Sequence, residues 1–376
     1  MRTKWLNILV LMALLLGLFP LGISAAPAAD PPVIVEVEPE LQNQIQADGE
    51  TGYLIYFREQ ADLSPAYDMD WIARGRFVVA ALQATADRSQ RQVRAYLDAQ
   101  GAEYQAFWID NVIVVEKSSL NTFNALTTAF PEINALRARR QPMLYEPVDI
   151  SPILPTLAIE PNILHVQADQ VWGLGYTGQG IVVANIDTGV RYTHDALVNQ
   201  YRGNLGGGTF DHNYNWWDPY AGTSAPFDFH NHGSHTMGTM VGDDGGANQI
   251  GMAPDAQWIA CKSFEGGNVD AQLLECGQFM AAPWDLTGVN ADPDLRPHIV
   301  NNSWGDCGQS YDTWYDGVLS AWHAGGIYPV FSNGNSSNCG YSSPPGLNTV
   351  GNPARAGNVT GVGATGTNNG QYATYS

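Results

Sequence analysis

The sequence of 376 residues is poor in charge and almost free of lysine. Charged residues make up 14% of it, against roughly 25% in an average soluble domain, and its lysines are Lys4, Lys117 and Lys262. With 17 basic and 37 acidic residues the formal charge is −20, which excludes a basic surface for nucleic acid or anionic lipid. Apolar residues reach 44%, so the chain is not disordered, and its length fits two or three domains.

Long apolar runs are confined to the N-terminus. Arg2 and Lys4 precede an apolar stretch at 8–19, and Ala-Pro-Ala at 26–28 offers small residues for cleavage, as in a secretory signal. A membrane anchor is the alternative, but the run ends at Pro20 and is shorter than the ~20 residues that a span needs. We therefore predict a signal peptide at 1–28 and a secreted protein without a membrane segment after signal removal.

Cysteine is also scarce. The four residues contain no Cys-x-x-Cys pair, which argues against a zinc ribbon. In an oxidising compartment they predict up to two disulfides, with three possible pairings.

Two regions with different sequence patterns follow the predicted signal. After an acidic, Pro-rich linker at 29–51, residues 52–147 have the pattern of a small α+β domain in β-α-β-β-α-β order, typical of a ferredoxin-like fold. This region contains no group of residues that suggests catalysis. The basic run Arg137-Ala-Arg-Arg140 is either a processing site or a solvated strand end. A linker or processing region is predicted at 148–164.

The second region, 165–376, alternates short apolar strands with helices. Strands are expected at 181–186, 258–261, 299–302 and 327–331, and helices at 271–282 and 312–324. Strands that are apolar on both faces belong to a parallel sheet covered by helices, so the fold class is α/β. Ligands of such sheets bind beyond the carboxyl ends of the strands. We expect the functional residues at that edge.

Polar residues follow these strands. Asp187 ends the first one, and a buried carboxylate needs a hydrogen-bond partner. The candidate partner is in the run His230-Asn-His232-Gly-Ser-His235. Asn302-Ser303-Trp304-Gly305 and Gly334-Asn335 follow two later strands.

These motifs, in this order, resemble the successive signatures of the subtilisin family of serine peptidases, over residues 165–376. The stretches at 172–184, 212–217 and 300–304 resemble the bacillopeptidase F subgroup of that family most. The resemblance implies a subtilisin-like parallel sheet, with residues 52–147 as an inhibitory propeptide. It also implies an endopeptidase that acts on protein or peptide substrates and is inhibited by its own propeptide.

The resemblance assigns a role to each motif. Asp187 would orient His232, the general base of an Asp-His-Ser triad, and the Asn335 amide would stabilise the oxyanion. Ser303, Trp304 and Gly305 would form the edge strand that pairs with an extended substrate, with Trp304 as a pocket wall. No cofactor is needed for the chemistry. Structural calcium is implied by the family, with Asp195 as one ligand position.

Two rival interpretations remain open. His230, His232 and His235 approach the zinc-binding run of metallo-β-lactamase-like hydrolases, although Ser234 stands where that motif needs Asp.

The nucleophile motif of the subtilisin family, Gly-Thr-Ser-Met-Ala-x-Pro, has no match after the strand expected at 359–364. The chain is therefore expected to be a C-terminally incomplete peptidase that is inactive as given, or else a peptide-binding pseudoprotease. Gly222-Thr-Ser-Ala-Pro226 imitates the motif but precedes the histidine.

The element pattern also predicts the disulfides. Cys261 ends a strand and Cys276 lies on the next helix, while Cys307 and Cys339 follow neighbouring strands. We expect the pairs 261–276 and 307–339, with Cα atoms less than ~7 Å apart.

Overall fold

The computed structural model describes residues 34–146, 159–246, 248–308, 310–365 and 373. The signal predicted at 1–28 and residues 148–158 of the predicted linker lie outside these ranges. Within them, no helix has the length and apolarity to cross a bilayer. The described residues from Val35 onward form one compact unit.

The N-terminal domain, residues 35–146, contains a five-stranded sheet and four α-helices among its described elements. In chain order these are β1 (Glu36–Val37), α1 (Pro39–Asp48), β2 (Glu50–Phe57), α2 (Trp71–Ser89), α3 (Arg91–Gln100), β3 (Glu103–Phe107), β4 (Val112–Ser119), α4 (Leu120–Ala129), β5 (Ile133–Ala138) and β6 (Met143–Leu144), with a 3₁₀ turn at Ser64–Asp68. The sheet order is β1-β5-β2-β4-β3, and β2 is antiparallel to both β4 and β5. The predicted β-α-β-β-α-β order is therefore present from β2 to β5.

The linker predicted at 29–51 is wrong from residue 35 onward. β1 adds a parallel strand to β5, and Leu41 and Ile45 of α1 are fully buried in the core of the domain. Their i, i+4 spacing places both on one helix face. The surrounding Pro and acidic residues concealed this short amphipathic helix in the sequence.

The second part of the chain is built on a parallel sheet. Its elements are α5 (Pro161–His165), α6 (Ala168–Gly173), β7 (Val182–Asp187), β8 (Asn204–Gly206), β9 (Thr209–Phe210), β10 (Trp216–Trp217), α7 (His232–Val241), β11 (Gln257–Lys262), α8 (Val269–Ala281), a 3₁₀ turn (Pro293–Leu295), β12 (Ile299–Asn302), β13 (Trp304–Gly305), α9 (Asp316–Gly325), β14 (Tyr328–Ser332), α10 (Ser336–Cys339) and β15 (Thr360–Val362). The sheet order is β10-β11-β7-β12-β14-β15, with every neighbouring pair parallel. The predicted α/β class is confirmed, and the strands predicted at 181–186, 258–261, 299–302 and 327–331 agree with the structure to within one residue at each end. The strand expected at 359–364 is shorter in the structure, at Thr360–Val362.

Both predicted disulfides are confirmed. Cys261 and Cys276 have Cα atoms 5.6 Å apart, and those of Cys307 and Cys339 are 5.3 Å apart. The first ties β11 to α8. The second ties the loop after β13 to α10.

The sheet of the N-terminal domain is covered on both faces. Val112 and Val114 of β4 lie in one core cluster with residues of α8 and α9, whereas Ile113 and Val115 belong to the cluster formed with α1, α3 and α4. Because side chains alternate along a strand, the continuous Val-Ile-Val-Val run has an apolar partner on each side. The domain is thus packed directly on the second part of the chain.

One carboxylate is buried in this contact. Asp110 lies beside the first turn of α9, where a Cβ at Gly317 would overlap its carboxylate. Its Oδ2 has no hydrogen-bond partner among the described residues. Burial, together with the charge of Asp316, raises the pKa of Asp110 well above its usual value.

The basic residues after β5 form ion pairs with both parts of the chain, so they are not a solvated strand end. Arg139 pairs with Asp270 and Glu116, and Arg140 pairs with Glu38 and Asp312. Both arginine side chains are only 16% exposed. These ion pairs fix the position of the chain just before β6.

Candidate active site

Asp187 and His232 lie in direct contact at the carboxyl edge of the parallel sheet. The Oδ1 atom of Asp187 is 2.7 Å from Nδ1 of His232, and both side chains are buried. Asp187 ends β7, and its Oδ1 also accepts a hydrogen bond from the backbone N–H of Thr188. These bonds satisfy the carboxylate that the sequence places at the end of an apolar strand.

Asp228 holds the start of α7 against β7. Its carboxylate accepts hydrogen bonds from the Thr188 hydroxyl and from the backbone N–H groups of His230, Asn231 and Ser234. Burial opposes its charge, but these hydrogen bonds outweigh burial and lower its pKa. A carboxylate is a strong acceptor for the free N–H groups of a helix start. Asp228 therefore fixes the position of His232.

The close approach of α7 to β7 requires a glycine after the histidine. A Cβ at Gly233 would overlap the carbonyl oxygen of Gly189 and would lie 3.2 Å from Cβ of Asp187. The side chain of Asn185 also bridges the two elements, donating to the Gly233 carbonyl at 3.1 Å. The backbone of α7 can therefore lie close enough for the histidine to reach Asp187.

The second ring nitrogen of His232 faces a backbone carbonyl of the N-terminal domain. Its Nε2 lies 3.1 Å from the carbonyl oxygen of Tyr145. Burial disfavours the charged imidazolium, but the hydrogen bonds to Asp187 and Tyr145 and the charges of Asp187 and Glu146 outweigh it. Together they raise the pKa of His232 above its usual value.

Asn335 faces the same cleft from the end of β14. Its Nδ2 donates a hydrogen bond of 2.7 Å to the carbonyl oxygen of Glu146. A side-chain amide is thus aimed at a peptide carbonyl next to the one that faces His232. The sequence predicted that Asn335 would share a cleft with Asp187 and His232, and the structure places it there.

Ser303, Trp304 and Gly305 pair with an extended segment of the same chain. Trp304 and Gly305 form an antiparallel ladder with Leu144 and Met143, and the Tyr145 N–H donates to the Ser303 carbonyl at 3.3 Å.

The role predicted for the Trp304 side chain as a pocket wall stays a prediction; the ring belongs to the core cluster against which Leu144 of the paired segment packs. It is fully buried in the core, in ring contact with Phe264, Trp314, Tyr315 and Phe331. Side chains alternate along a strand, so the residue whose backbone pairs at this edge directs its ring inward.

Comparison with known proteins agrees with this geometry. Residues 178–376, more than half of the chain, match the subtilase family of peptidases (S8). The chain belongs to the subtilase family.

Similar proteins include two peptidases of Bacillus subtilis (strain 168). Bacillopeptidase F is 38% identical over 302 residues, which cover 77% of this subtilase and 21% of that protein. Minor extracellular protease Vpr is 32% identical over 207 residues, covering 54% and 22% of the two chains. The chain thus spans about a fifth of the length of each.

A solved structure supports the fold. The structure of fervidolysin from Fervidobacterium pennivorans, described as a keratinolytic enzyme related to subtilisin, superposes with a TM-score of 0.50 at 17% identity. The match covers 83% of this chain and 44% of that one.

The structure does not assemble the proposed zinc site. Across the described ranges, no group of three His, Cys, Asp or Glu side chains is placed to hold a metal ion. Nδ1 of His232 contacts Asp187, while His230 lies before α7 and faces Glu146 at 3.4 Å. His230, His232 and His235 therefore do not form a ligand set. Asp195 is exposed and has no such group around it, so calcium there stays a prediction.

Sequence reasoning missed two contributors to this site. Asp228 has a local signal, because it stands four residues before the histidine at a helix start. Tyr145 has none, because it lies 87 residues from His232 in the chain and reaches the cleft only through docking of the N-terminal domain.

Proposed function

We propose that this subtilase is the precursor of a secreted serine endopeptidase that hydrolyses peptide bonds in proteins. The observation that carries the proposal is the position of His232, whose ring lies between the Asp187 carboxylate and a peptide carbonyl. That is the arrangement that a histidine base needs when it serves a nucleophile next to a bound substrate.

Each residue has a chemical role in this proposal. Asp187 accepts the Nδ1 hydrogen bond and stabilises the imidazolium that forms when Nε2 takes the nucleophile's proton. His232 then returns that proton to the leaving amine. Asn335 donates to the developing oxyanion, a contribution of about 3 kcal/mol for one such donor. Only side chains and water take part in the chemistry.

The nucleophile is proposed to be a serine in sequence that follows residue 376. Among the described residues, the hydrogen-bond partner of His232 Nε2 is the Tyr145 carbonyl, and no serine or threonine hydroxyl bonds to it. Ser224, in the stretch that imitates the family motif, lies in an exposed loop before α7. This agrees with a nucleophile supplied by another segment.

A fluorophosphonate probe tests this assignment. A precursor that extends beyond residue 376 through the nucleophile motif should react with the probe at one serine, and His232→Ala should abolish the reaction. The 376-residue chain should not react. If it labels at a single serine, such as Ser224, the nucleophile assignment is wrong.

The N-terminal domain is proposed to be an inhibitory propeptide. Its last strand, β6, occupies the edge of β13 where an extended substrate would pair, and the Tyr145 carbonyl lies at His232. Adding residues 35–146 in trans to the mature enzyme should inhibit it. Full activity at micromolar concentrations of the domain would refute this role.

Secretion rests on the predicted signal and on the two disulfides, which persist in oxidising compartments. The name of Vpr describes an extracellular protease. Expression of the precursor in a secreting host should give medium protein that lacks residues 1–28. Retention of those residues on the exported protein would refute the signal.

A peptide-binding pseudoprotease is the second candidate, because the pairing of β13 with β6 uses backbone atoms and needs no nucleophile. Failure of every extended precursor to label, with peptide binding retained, would favour it.

A further inference from the structure

Asn335 lies on a short segment that the parallel sheet holds from one side. The sheet fixes the chain up to Asn333, whose N–H donates to the Val362 carbonyl at 2.9 Å and whose carbonyl accepts from the Gly351 N–H at 3.0 Å. The next residue, Gly334, has a φ of 108°. Glycine has more backbone freedom than any other residue. The Asn335 amide therefore comes directly after a position that can act as a hinge.

The Cys307–Cys339 disulfide provides a fixed point on the other side of Asn335. Cys339 is the last residue of α10, which begins right after Asn335. The Asn338 N–H of this helix donates to the Asn335 carbonyl at 3.1 Å, so Asn335 and α10 move together. The described residues that follow, 340–350, contain no helix or strand. The disulfide is thus the covalent tie that holds this segment from its far end.

The loop that carries Cys307 is held independently of the disulfide. The Asp306 N–H donates to the Asn352 carbonyl at 3.0 Å, and the Asp306 carboxylate accepts from the N–H groups of Gly308 and Asn352. The Asn352 side chain is buried, and Trp304 of β13 is fully buried. Opening the disulfide would therefore release α10, while β13 and its loop would stay in place.

A tyrosine makes a second, noncovalent tie between the same two segments. The Tyr341 hydroxyl donates to the Cys307 carbonyl at 2.7 Å, and the Tyr341 N–H donates to the Ser336 carbonyl at 2.9 Å. Ser336 comes directly after Asn335 and is buried. The disulfide and the tyrosine together connect the loop after β13 to the turn that carries the Asn335 amide.

We propose that the Cys307–Cys339 disulfide, assisted by Tyr341, is a positioning element that holds the Asn335 amide where the oxyanion forms. This inference rests on the proposed peptidase function. An oxyanion donor must lie about 2.7–3.1 Å from the developing charge, and a misplacement of about 1 Å can cost about 10²-fold in rate. Because the oxyanion develops only in the transition state, the loss should fall on turnover and not on substrate binding.

Replacing both cysteines by serine in the extended precursor tests this role. On a peptide anilide, Cys307→Ser with Cys339→Ser should lower kcat about 10- to 100-fold, below or near the full effect of deleting such a donor. KM should change less than about threefold. Tyr341→Phe removes only the noncovalent tie and should lower kcat about 2- to 5-fold, the effect of one neutral hydrogen bond. An unchanged kcat in the double serine variant would overturn the inference, whatever happens to KM.

A variant cycle with Asn335 separates positioning from a general structural effect. In Asn335→Ala no amide is left to position, so opening the disulfide should lower kcat less than about twofold further. If the two serine substitutions lower kcat by the same factor with and without the Asn335 amide, the disulfide does not act through Asn335 and the inference is wrong.

The other disulfide is the matched control. Cys261 and Cys276 are fully buried and tie β11 to α8, and neither element carries Asp187, His232 or Asn335. Replacing this pair by serine also removes one disulfide, but kcat per fluorophosphonate-reactive site should change less than about twofold. An equal fall in kcat for both pairs would overturn the inference, because it would trace the effect to the loss of any disulfide.

This inference and the proposed function fail in different ways. A precursor that reacts with the fluorophosphonate, but whose kcat does not depend on the disulfide, refutes this inference alone. If no extended precursor reacts, the peptidase function fails, and hydrogen exchange of the 376-residue chain still tests the tie. Opening Cys307–Cys339 should speed amide exchange of Asn338 at least about tenfold and leave that of Phe331 in β14 unchanged. Unchanged exchange of Asn338 would overturn the inference.

Discussion

Replacing Arg139 by alanine tests how the N-terminal domain is held on the subtilase part. The Arg139 guanidinium binds the Asp270 carboxylate at two points, Nε to Oδ2 at 2.8 Å and Nη2 to Oδ1 at 2.5 Å. The Asp270 side chain is 1% exposed. The substitution leaves that carboxylate buried, with the Arg140 N–H as its remaining partner from the domain. Breaking a buried pair in this way costs about 3–5 kcal/mol.

A second arginine at the same interface separates the effect of burial from the effect of removing a charge. Arg76 makes an equally bidentate pair with Asp294, at 3.0 and 2.6 Å, but its side chain is 66% exposed. Solvent screens such a pair, so Arg76→Ala should change the unfolding equilibrium constant less than about fivefold. Arg91→Ala, on the exposed side of α3, is the neutral control.

Urea unfolding of the 376-residue chain, followed by tryptophan fluorescence, measures the differences. The double variant Arg139→Ala, Asp270→Ala should recover part of the loss, since no buried charge is then left unpaired. If Arg139→Ala lowers the free energy of unfolding no more than Arg76→Ala does, burial does not set the strength of these ion pairs and the reasoning fails.

Three further predictions follow from the site and the disulfides. Asp187→Asn in the extended precursor should lower the turnover number about 10⁴-fold on a peptide anilide, because the His232 tautomer is no longer fixed; a loss below tenfold would contradict the assigned role. Folding raises the pKa of both His232 and Asp110. The stability that each group contributes to the fold is therefore complete at pH values below its unfolded pKa, about 6.5 for His232 and about 3.9 for Asp110. It is lost as the pH rises through the raised pKa of the folded state. The contribution of His232 to the urea midpoint should therefore fall as pH rises above about 6.5, and that of Asp110 as pH rises above about 3.9. Asp110→Asn should flatten the second fall; a midpoint difference between this variant and the unchanged chain that does not vary with pH would refute it. Replacing Cys261 and Cys276 by serine opens a 15-residue loop and should lower the unfolding free energy by about 3 kcal/mol, whereas an unchanged midpoint would show that the bridge is not formed in solution.

Local patterns in the sequence predicted much of the sheet and the core of the site. Runs such as the one at 258–261 are apolar on both faces, as buried parallel strands are. Asp187 and His232 could be paired because each carries its own signal, a carboxylate ending an apolar strand and a histidine starting a small-residue helix. The disulfides followed from the same elements, since adjacent strand ends bring Cys307 and Cys339 together.

The tertiary structure decided what fills the cleft and which way several side chains point. Tyr145 reaches His232, and Arg139 reaches Asp270, across 87 and 131 residues of chain, and no periodicity or spacing records such contacts. The inward direction of Trp304 was hidden for a related reason: the motif gives the backbone role of β13 but not the face of the strand. Local signals reflect the φ/ψ preferences and the burial of neighbouring residues, whereas docking of one domain on another depends on surfaces that exist only after both have folded.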